Sequence, residues 1–348
     1  MQDAANITII RRETRLEQLR ARWGTVGQAK FVLRTVRRRS ANEASQSVSQ
    51  SRSKRSTDNA ATTRVVKAAK SGEGQAEFDD YQTEDDAYRA ALERLQRELD
   101  FGLPIKVLDR EFTPNYDFSR TALVVVLGQD GLVANTAKYV GALPVLGVNP
   151  DPSRFDGVLL PFVPEHIRPI AGAVLGGKYP ARRVTLAETR LNDGQKLLAF
   201  NDLFLGAASH ISARHLLNAA GTPEAQSSSG LIVSTGAGST GWMSSVFNMV
   251  NGIVRSFGDG TKRGGPWPWE ARRLMWAVRE PFVSKTSRAD SIVGAIDDAR
   301  PKLIVESLMP QSGVIFSDGV EKDFLEFNSG AIAEIGIAGH QANLVVAG

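Results

Sequence analysis

A continuous apolar run from Thr121 to Leu127 restricts the fold of this chain more than any other feature. A run without polar alternation is typical of a strand buried on both faces, as in a parallel sheet covered by helices. The run ends in Gly128-Gln129-Asp130-Gly131, and we expect a short helix over Leu132 to Gly141 and a second buried strand over Pro144 to Asn149. This order of strand, turn, helix and strand predicts an open parallel sheet that binds ligands where its strands end.

Asp130 lies at that edge of the predicted sheet, in a turn that also contains Gly128 and Gly131. Asp-Gly pairs are common in ordinary turns, so the residues alone leave a structural role for this carboxylate open. Its place at the end of a buried strand makes it a candidate for chemistry, because parallel sheets bind their ligands there.

A second candidate segment follows the short apolar strand Leu231 to Val233. Its glycines would let backbone N–H groups approach a ligand, and its hydroxyls would donate to and accept from an oxygen-rich group. Turns of this composition are also ordinary loops, so the segment by itself fits either interpretation. Its candidate ligand-binding residues are Ser234, Thr235, Gly238, Ser239 and Thr240.

The chain is long enough for two domains, because it has 348 residues and a single core stops growing near about 250–300 residues. Alternating strands and helices predict an α/β domain over residues 1–180, in which a helix opening at Thr83 carries an apolar stripe. Recurrent short strands predict a β-rich domain over residues 181–334. A final strand within residues 335–348 is expected to return to the first domain.

Residues 34–70 form a basic, serine-rich segment in which ten Lys or Arg and two acidic residues give a net charge of +8. The segment has few large apolar residues up to Val65, so we predict a mobile insertion. Attraction of a polyanion, including a phosphate-rich substrate, is one interpretation of the charge. A nucleic-acid arm is less favoured, because no aromatic residue is interleaved with the charges for base stacking.

Composition excludes several classes of protein. The chain has no cysteine, which rules out disulfides and thiolate metal sites and fits a reducing cytoplasm. Its four histidines lack the spacing of a zinc site, so no protein-bound metal is predicted. There is no run of 18 apolar residues and no signal-peptide pattern, so a soluble cytoplasmic protein without membrane contact is expected.

Several motifs, in order over about two thirds of the chain, resemble those of the NAD kinases, and most closely the mitochondrial type. An ordered set of motifs is far more specific than any one of them. The chain departs from the family in having Gln129 for a glycine, Leu132 for a threonine and Asp202 for a glutamate. The matching segments are Gly128 to Gly131, Pro144 to Pro152, Asn201-Asp202, Ser227 to Trp242, Arg279 to Pro281 and Asp318-Gly319.

The resemblance implies the NAD kinase fold, in which a Rossmann-like α/β domain precedes a β-sandwich-like domain and the ligand lies between them. It implies phosphoryl transfer from ATP, or from polyphosphate, to the 2′-hydroxyl of the adenosine ribose of NAD. Asp130 would be the general base, Asn201 would bind the adenine edge and Asp202 the ribose hydroxyls. Gly128, Gly131 and the loop from Ser234 to Thr240 would line the phosphates. Mg²⁺ would enter with the donor rather than in a protein cage, and a homodimer is expected.

Two other functions stay open from the sequence. A lipid or sugar kinase of the same superfamily would share the Gly-Gly-Asp-Gly turn. A protein that binds a dinucleotide or a nucleic acid without catalysis would have lost turnover through Gln129 and Leu132. A decoy of the turn, Gly258-Asp259-Gly260-Thr261, is predicted to be a surface turn, because it follows a helix rather than a strand.

Overall fold

The structure, a computed structural model, describes residues 5–32, 35, 60–219, 221–258 and 264–347. The decoy turn at Asp259 to Thr261 and residues 36–59 of the basic segment lie outside this description. Among the described residues, no helix combines the length and the apolar character that a bilayer span requires.

The first part of the chain builds a parallel sheet of four strands that are adjacent in space. Their order across the sheet is β2, β1, β3, β4, and every neighbouring pair is parallel. The bounds are β1 (Asn6–Arg11), β2 (Ile105–Asp109), β3 (Thr121–Leu127) and β4 (Pro144–Val148).

Helices cover both faces of this sheet, as the apolar run in β3 predicted. They are α1 (Arg15–Trp23), α2 (Ala60–Glu98), α3 (Asp130–Ala137) and α4 (Ile167–Leu175). Leu123, Val125 and Leu127 of β3 pack in one core with residues of α2 and α4, whereas Val124 and Val126 pack with residues of α3. Because both faces are buried, β3 needs no polar alternation.

Helix α2 is longer than the sequence indicated. It was expected to open at Thr83, and in the structure it begins at Ala60. Residues 60–70 of the segment predicted to be mobile are therefore helical, which agrees with their alanine content and with the absence of proline up to Glu98. The predicted apolar stripe is in the core, since Tyr88, Leu95 and Leu99 are buried.

The second part of the chain forms two β-sheets that face each other. Leu205, Val233 and Ile315 of one sheet share a core with Leu217 and Val305 of the other, which is the packing of a β-sandwich. One sheet has the order β12, β11, β10, β7, β14, β15 and only antiparallel pairs among its described strands. Its strands are β7 (Asp202–Ala207), β10 (Leu231–Ser234), β11 (Leu274–Val278), β12 (Val293–Ile296), β14 (Gly313–Ser317) and β15 (Val320–Glu326). A fifth helix, α5 (Trp242–Phe257), packs on its outer face through Met243.

The other sheet of the sandwich is continuous with the parallel sheet. It is composed of β5 (Ala181–Leu191), β6 (Lys196–Ala199), β8 (Ala213–Asn218), β9 (Glu224–Ser228), β13 (Leu303–Ser307) and β16 (Ile332–Val345). The long β16 pairs antiparallel with β13 and β5, and its Asn343 and Leu344 then pair parallel with β4. The predicted fold class, a parallel α/β domain followed by a β-sandwich, is confirmed.

Candidate active site

Three segments that are distant in the sequence meet around a small pocket of about 220 Å³. One is the start of β7, with Asn201 and Asp202, and the second is the loop after β10, with Gly238 and Thr240. The third is the turn between β14 and β15, with Asp318 and Gly319. Phe200 and Ala237, which adjoin the first two segments, share a core with Leu132 and Val133 of α3. The pocket therefore lies where the sandwich packs against the α/β domain.

Hydroxyl groups in the loop after β10 hold its shape. The Thr235 N–H donates to the Asn201 carbonyl at 2.9 Å, and the Thr235 hydroxyl donates to the Phe200 carbonyl at 2.5 Å. The Ser239 hydroxyl donates to the Gly236 carbonyl at 2.7 Å. Ser234, Thr235 and Ser239 are buried, and of the predicted loop residues Gly238 and Thr240 line the pocket. The buried hydroxyls of Thr235 and Ser239 are thus both paired with backbone carbonyls.

Gly238 allows this loop to pack against the Asn201 backbone. A Cβ at position 238 would lie 2.6 Å from the Asn201 carbonyl carbon and 2.7 Å from the Ser234 hydroxyl oxygen, both too close for a real Cβ. The absence of a side chain therefore sets the distance between the loop and the Asn201-Asp202 pair.

Asp202 is a buried carboxyl group in the wall of the pocket. It is 9% exposed, and its Oδ1 has no hydrogen-bond partner among the residues that the structure describes. Burial, assisted by the charge of Asp318, raises the pKa of Asp202 from 3.8 to about 7, although the Ser234 hydroxyl opposes the shift. The orphan oxygen has acceptor capacity to offer to hydroxyl groups of a ligand.

Asp130 is the first residue of α3, after the N-cap Gln129. Its carboxylate accepts the N–H groups of Val158 at 3.1 Å and of Leu159 at 2.8 Å. Both donors belong to the loop after β4 and not to the Gly-rich turn that contains Asp130. Leu159 approaches because β4 has Gly147 here, where a Cβ would lie 2.9 Å from the Leu159 carbonyl carbon.

The structure does not bring Asp130 into the wall of the pocket that contains Asn201 and Asp202. Its neighbours Gln129 and Leu132 instead line a larger cleft of about 1210 Å³. Gly319 lines both the cleft and the pocket, so the two spaces adjoin. Gly128 packs on Leu132, while a Cβ at Gly131 would meet no atom within 4 Å.

The cleft has a charged lining that sequence reasoning missed, because its residues come from separate elements. Four arginines and six carboxylates line it, and the ion pairs include Arg12–Glu84 at 2.6 Å and Arg154–Asp80 at 2.5 Å. Carboxylates outnumber the arginines, so the lining is acidic in net charge. The ten residues are Arg12, Glu13, Arg15, Asp80, Glu84, Asp109, Arg110, Glu111, Arg154 and Asp323.

No protein-family model and no curated protein matches the sequence. Solved structures do match the fold. An NAD kinase from Archaeoglobus fulgidus in complex with ATP is 16% identical, with a TM-score of 0.50 over 73% of this chain and 89% of that one. Yeast NADH kinase in complex with NADH is 14% identical, with a TM-score of 0.52 over 100% of this chain and 85% of that one. At these identities the likeness concerns the fold, and the chain has the two-domain fold of the NAD kinases.

Proposed function

We propose that this protein is an NAD kinase, of the mitochondrial type that its motifs resemble, which phosphorylates the 2′-hydroxyl of the adenosine ribose of NAD to give NADP. The observation that carries the proposal is the pocket where Asn201 and Asp202 meet Gly238 and Thr240. It combines an amide, a buried carboxyl with an orphan oxygen and a close backbone approach, on a fold shared with an ATP-bound NAD kinase and an NADH-bound NADH kinase.

The dinucleotide is assigned to this pocket and its surroundings. The Asn201 amide has both a donor and an acceptor for the adenine edge, and Asp202 accepts from ribose hydroxyls. Trp242 is the apolar wall, stacked on Phe204 with ring centroids 5.5 Å apart and Arg279 over its ring. A lipid substrate is disfavoured, because the Asp202 carboxyl and the Asn201 amide line the pocket, whereas a lipid tail needs an apolar cavity.

The phosphate donor is assigned to the adjoining cleft. Its net acidic lining would repel a bare polyanion, so we favour ATP that carries Mg²⁺ over free polyphosphate. The described residues contain no cluster of three His, Cys, Asp or Glu that could hold a metal ion. Mg²⁺ would enter with the donor, bound mainly through phosphate and water. When bound, the ion would neutralise charge on the transferred group.

The reaction needs a base near the ribose. Asp130 would accept the proton of the 2′-hydroxyl while the hydroxyl oxygen forms a bond to the γ-phosphorus. The bond between the γ-phosphorus and the bridging oxygen would break, and ADP would leave. Two backbone N–H groups orient the Asp130 carboxylate. Positioning and charge neutralisation supply most of the rate in such transfers.

The family resemblance also favours a homodimer, which sedimentation would test.

A second candidate function is a dinucleotide binder without catalysis. The observation in its favour is that Asp130 lies outside the pocket and that its carboxylate is engaged by the backbone of Val158 and Leu159. The purified protein should be assayed for the formation of NADP from NAD and of NADPH from NADH, with MgATP or polyphosphate as the donor. NADP formed with MgATP supports the kinase. Calorimetric binding of NAD with no product under any condition supports the binder instead.

Replacing Gly238 by Ala is expected to weaken NAD binding. The new methyl would overlap the Asn201 carbonyl group and push the loop away from the pocket, at a cost of about 1–3 kcal/mol. The affinity for NAD is measured by calorimetry and the melting temperature by calorimetric scanning.

The matched control is Gly252→Ala in helix α5, where a Cβ meets no atom within 4 Å. This change should leave NAD binding unaltered and raise stability by about 0.5–1 kcal/mol. Equal NAD affinity in both variants would show that the close approach at Gly238 does not shape the ligand site.

A further inference from the structure

A buried ion pair joins the two domains beside the pocket. The side chains of Lys138 and Asp318 are each 1% exposed, with 3.4 Å between the lysine Nζ and the aspartate Oδ2. The Lys138 ammonium also donates to the Ser317 hydroxyl at 2.7 Å. Charges are costly to bury unless they are paired and hydrogen-bonded. The other contacts of Lys138 and Asp318 therefore show which segments this buried pair holds in place.

Asp318 holds the backbone of the Asn201-Asp202 pair. Its carboxylate accepts three N–H groups, from Phe200 at 3.0 Å, Asn201 at 2.6 Å and Asp202 at 3.3 Å. Its own N–H donates in return to the Asp202 carbonyl at 3.0 Å. Asp318 adopts a left-handed backbone conformation, with φ 54°, in the turn that Gly319 completes. Such a conformation persists in a non-glycine residue when its contacts over-determine it.

Lys138 lies at the other end of this connection. It is the C-cap residue of α3, the helix that begins with Asp130. The next residue, Tyr139, donates its hydroxyl to the carboxylate of Asp323 on β15. The C-terminal end of α3 is thus bound to the β14–β15 hairpin at two adjacent residues.

We infer that Asp318 is a positioning residue for the proposed reaction: its carboxylate holds Asn201 and Asp202 in the geometry that binds the dinucleotide and, through Lys138, ties them to the helix that carries Asp130. The inference rests on the proposed function for its consequence in catalysis. The alternative is that the pair contributes only to folding. Removing both charges together should restore stability under either alternative, whereas NAD affinity should recover only if the pair contributes to folding alone.

The test uses Asp318→Asn, Lys138→Met and the double variant K138M/D318N. Asp318→Asn leaves too few acceptors for three N–H groups, so the NAD Kd should rise about tenfold and amide exchange at Phe200, Asn201 and Asp202 should accelerate at least about tenfold. Lys138→Met keeps the Asp318 carboxylate that holds Asn201 and Asp202, so the NAD Kd should stay within about threefold. It removes the connection to the helix that carries Asp130, so kcat should fall about tenfold. The double variant should regain melting temperature relative to both single variants, because no buried charge is left unpaired. Its NAD Kd should stay raised.

Asp297→Asn is the matched control, because Asp297 likewise accepts two backbone N–H groups, each at 3.0 Å, in a turn away from the site. It should change neither the NAD Kd nor exchange at Asn201. Recovery of NAD affinity together with stability in the double variant would overturn the inference, as would unchanged exchange at residues 200–202 in Asp318→Asn. If the wild-type protein fails to bind NAD, the proposed function fails, whereas amide exchange still decides whether Asp318 holds this segment.

Discussion

Replacing Asp130 by Asn is expected to lower turnover by about 10²–10⁴-fold while NAD still binds. The amide keeps the shape of the carboxyl group and retains one oxygen to accept from Val158 or Leu159, but it cannot accept a proton at neutral pH. NAD binding should stay within a few-fold of the wild-type value, because Asp130 does not line the pocket of Asn201 and Asp202. The measurements are kcat for NADP formation and the NAD Kd by calorimetry.

Asp156→Asn provides the matched control, since Asp156 is an exposed carboxylate close to the loop segment that donates to Asp130. It should leave kcat unchanged. Asp259→Asn tests the decoy turn and should also have no effect. Loss of turnover in Asp259→Asn with normal turnover in Asp130→Asn would show that the active site is at the decoy turn and not at Asp130. Normal turnover in both variants would leave Asp130 as an anchor for Val158 and Leu159 alone.

The core of the α/β domain could be predicted from the sequence because local patterns specify it. The apolar run Thr121–Leu127 is β3 with the same bounds, and the strand expected from Pro144 is β4. The helix after the Gly-rich turn begins at Asp130 rather than at Leu132, since Gln129 takes the N-cap position. Helix ends depend on capping, which an apolar pattern does not report.

The sandwich was harder to predict where pairing is decided by tertiary contacts. Strand β9, from Glu224 to Ser228, has a polar sequence without alternation and is a strand because it pairs with β8. Strand β16 continues from Ile332 to Val345 past an irregularity in register between Ile337 and Gln341. Its parallel pairing with β4 depends on tertiary contacts that the local sequence does not specify.

The same distinction applies to the site. The Asn201-Asp202 pair and the loop from Ser234 to Thr240 stand out by composition and motif, and the structure brings them together at the pocket. The sequence does not single out Lys138, because an isolated lysine at a helix end is typical of a solvent-exposed residue. Its burial against Asp318 depends on packing between residues about 180 positions apart. The ion pair therefore required the folded structure.

Asp202, which we propose binds the ligand, has a buried carboxyl group that opposes folding. A carboxyl group whose pKa is raised from 3.8 to about 7 by burial holds a proton in the folded state that the unfolded chain has already released at pH 5 or 6. The contribution of Asp202 to stability must then fall as the pH rises from about 4 to about 7, and its full destabilisation, on the order of 4 kcal/mol, is present above pH 7. We interpret the burial as a consequence of the pocket, where the proposed function needs an acceptor for ligand hydroxyls.

Replacing Asp202 by Asn should therefore change how stability depends on pH. The amide does not ionise, so the free energy of unfolding of the variant minus that of the wild-type protein should increase by about 3 kcal/mol between pH 5 and pH 8. Urea unfolding of both proteins at several pH values measures this difference. Carboxylates that do not interact with Asp202 contribute equally in both proteins, so their contributions cancel, whereas that of Asp318, whose charge acts on Asp202, does not. Parallel pH profiles would show that the Asp202 carboxyl is not held in its neutral form.

The same substitution should weaken NAD binding in the pH range where it relieves the destabilisation. In the proposed complex, ribose hydroxyls would donate to the ionised form of Asp202. NAD affinity of the wild-type protein should therefore strengthen as the pH rises through about 7, the pKa of this carboxyl without ligand. In Asp202→Asn the affinity should be lower above pH 7 and nearly independent of pH. Calorimetric titrations with NAD at pH 6 and pH 8 make the comparison. Equal NAD affinity of the two proteins at pH 8 would show that NAD does not contact Asp202. A ligand that contacts its carboxylate must bind more weakly when the charge is lost.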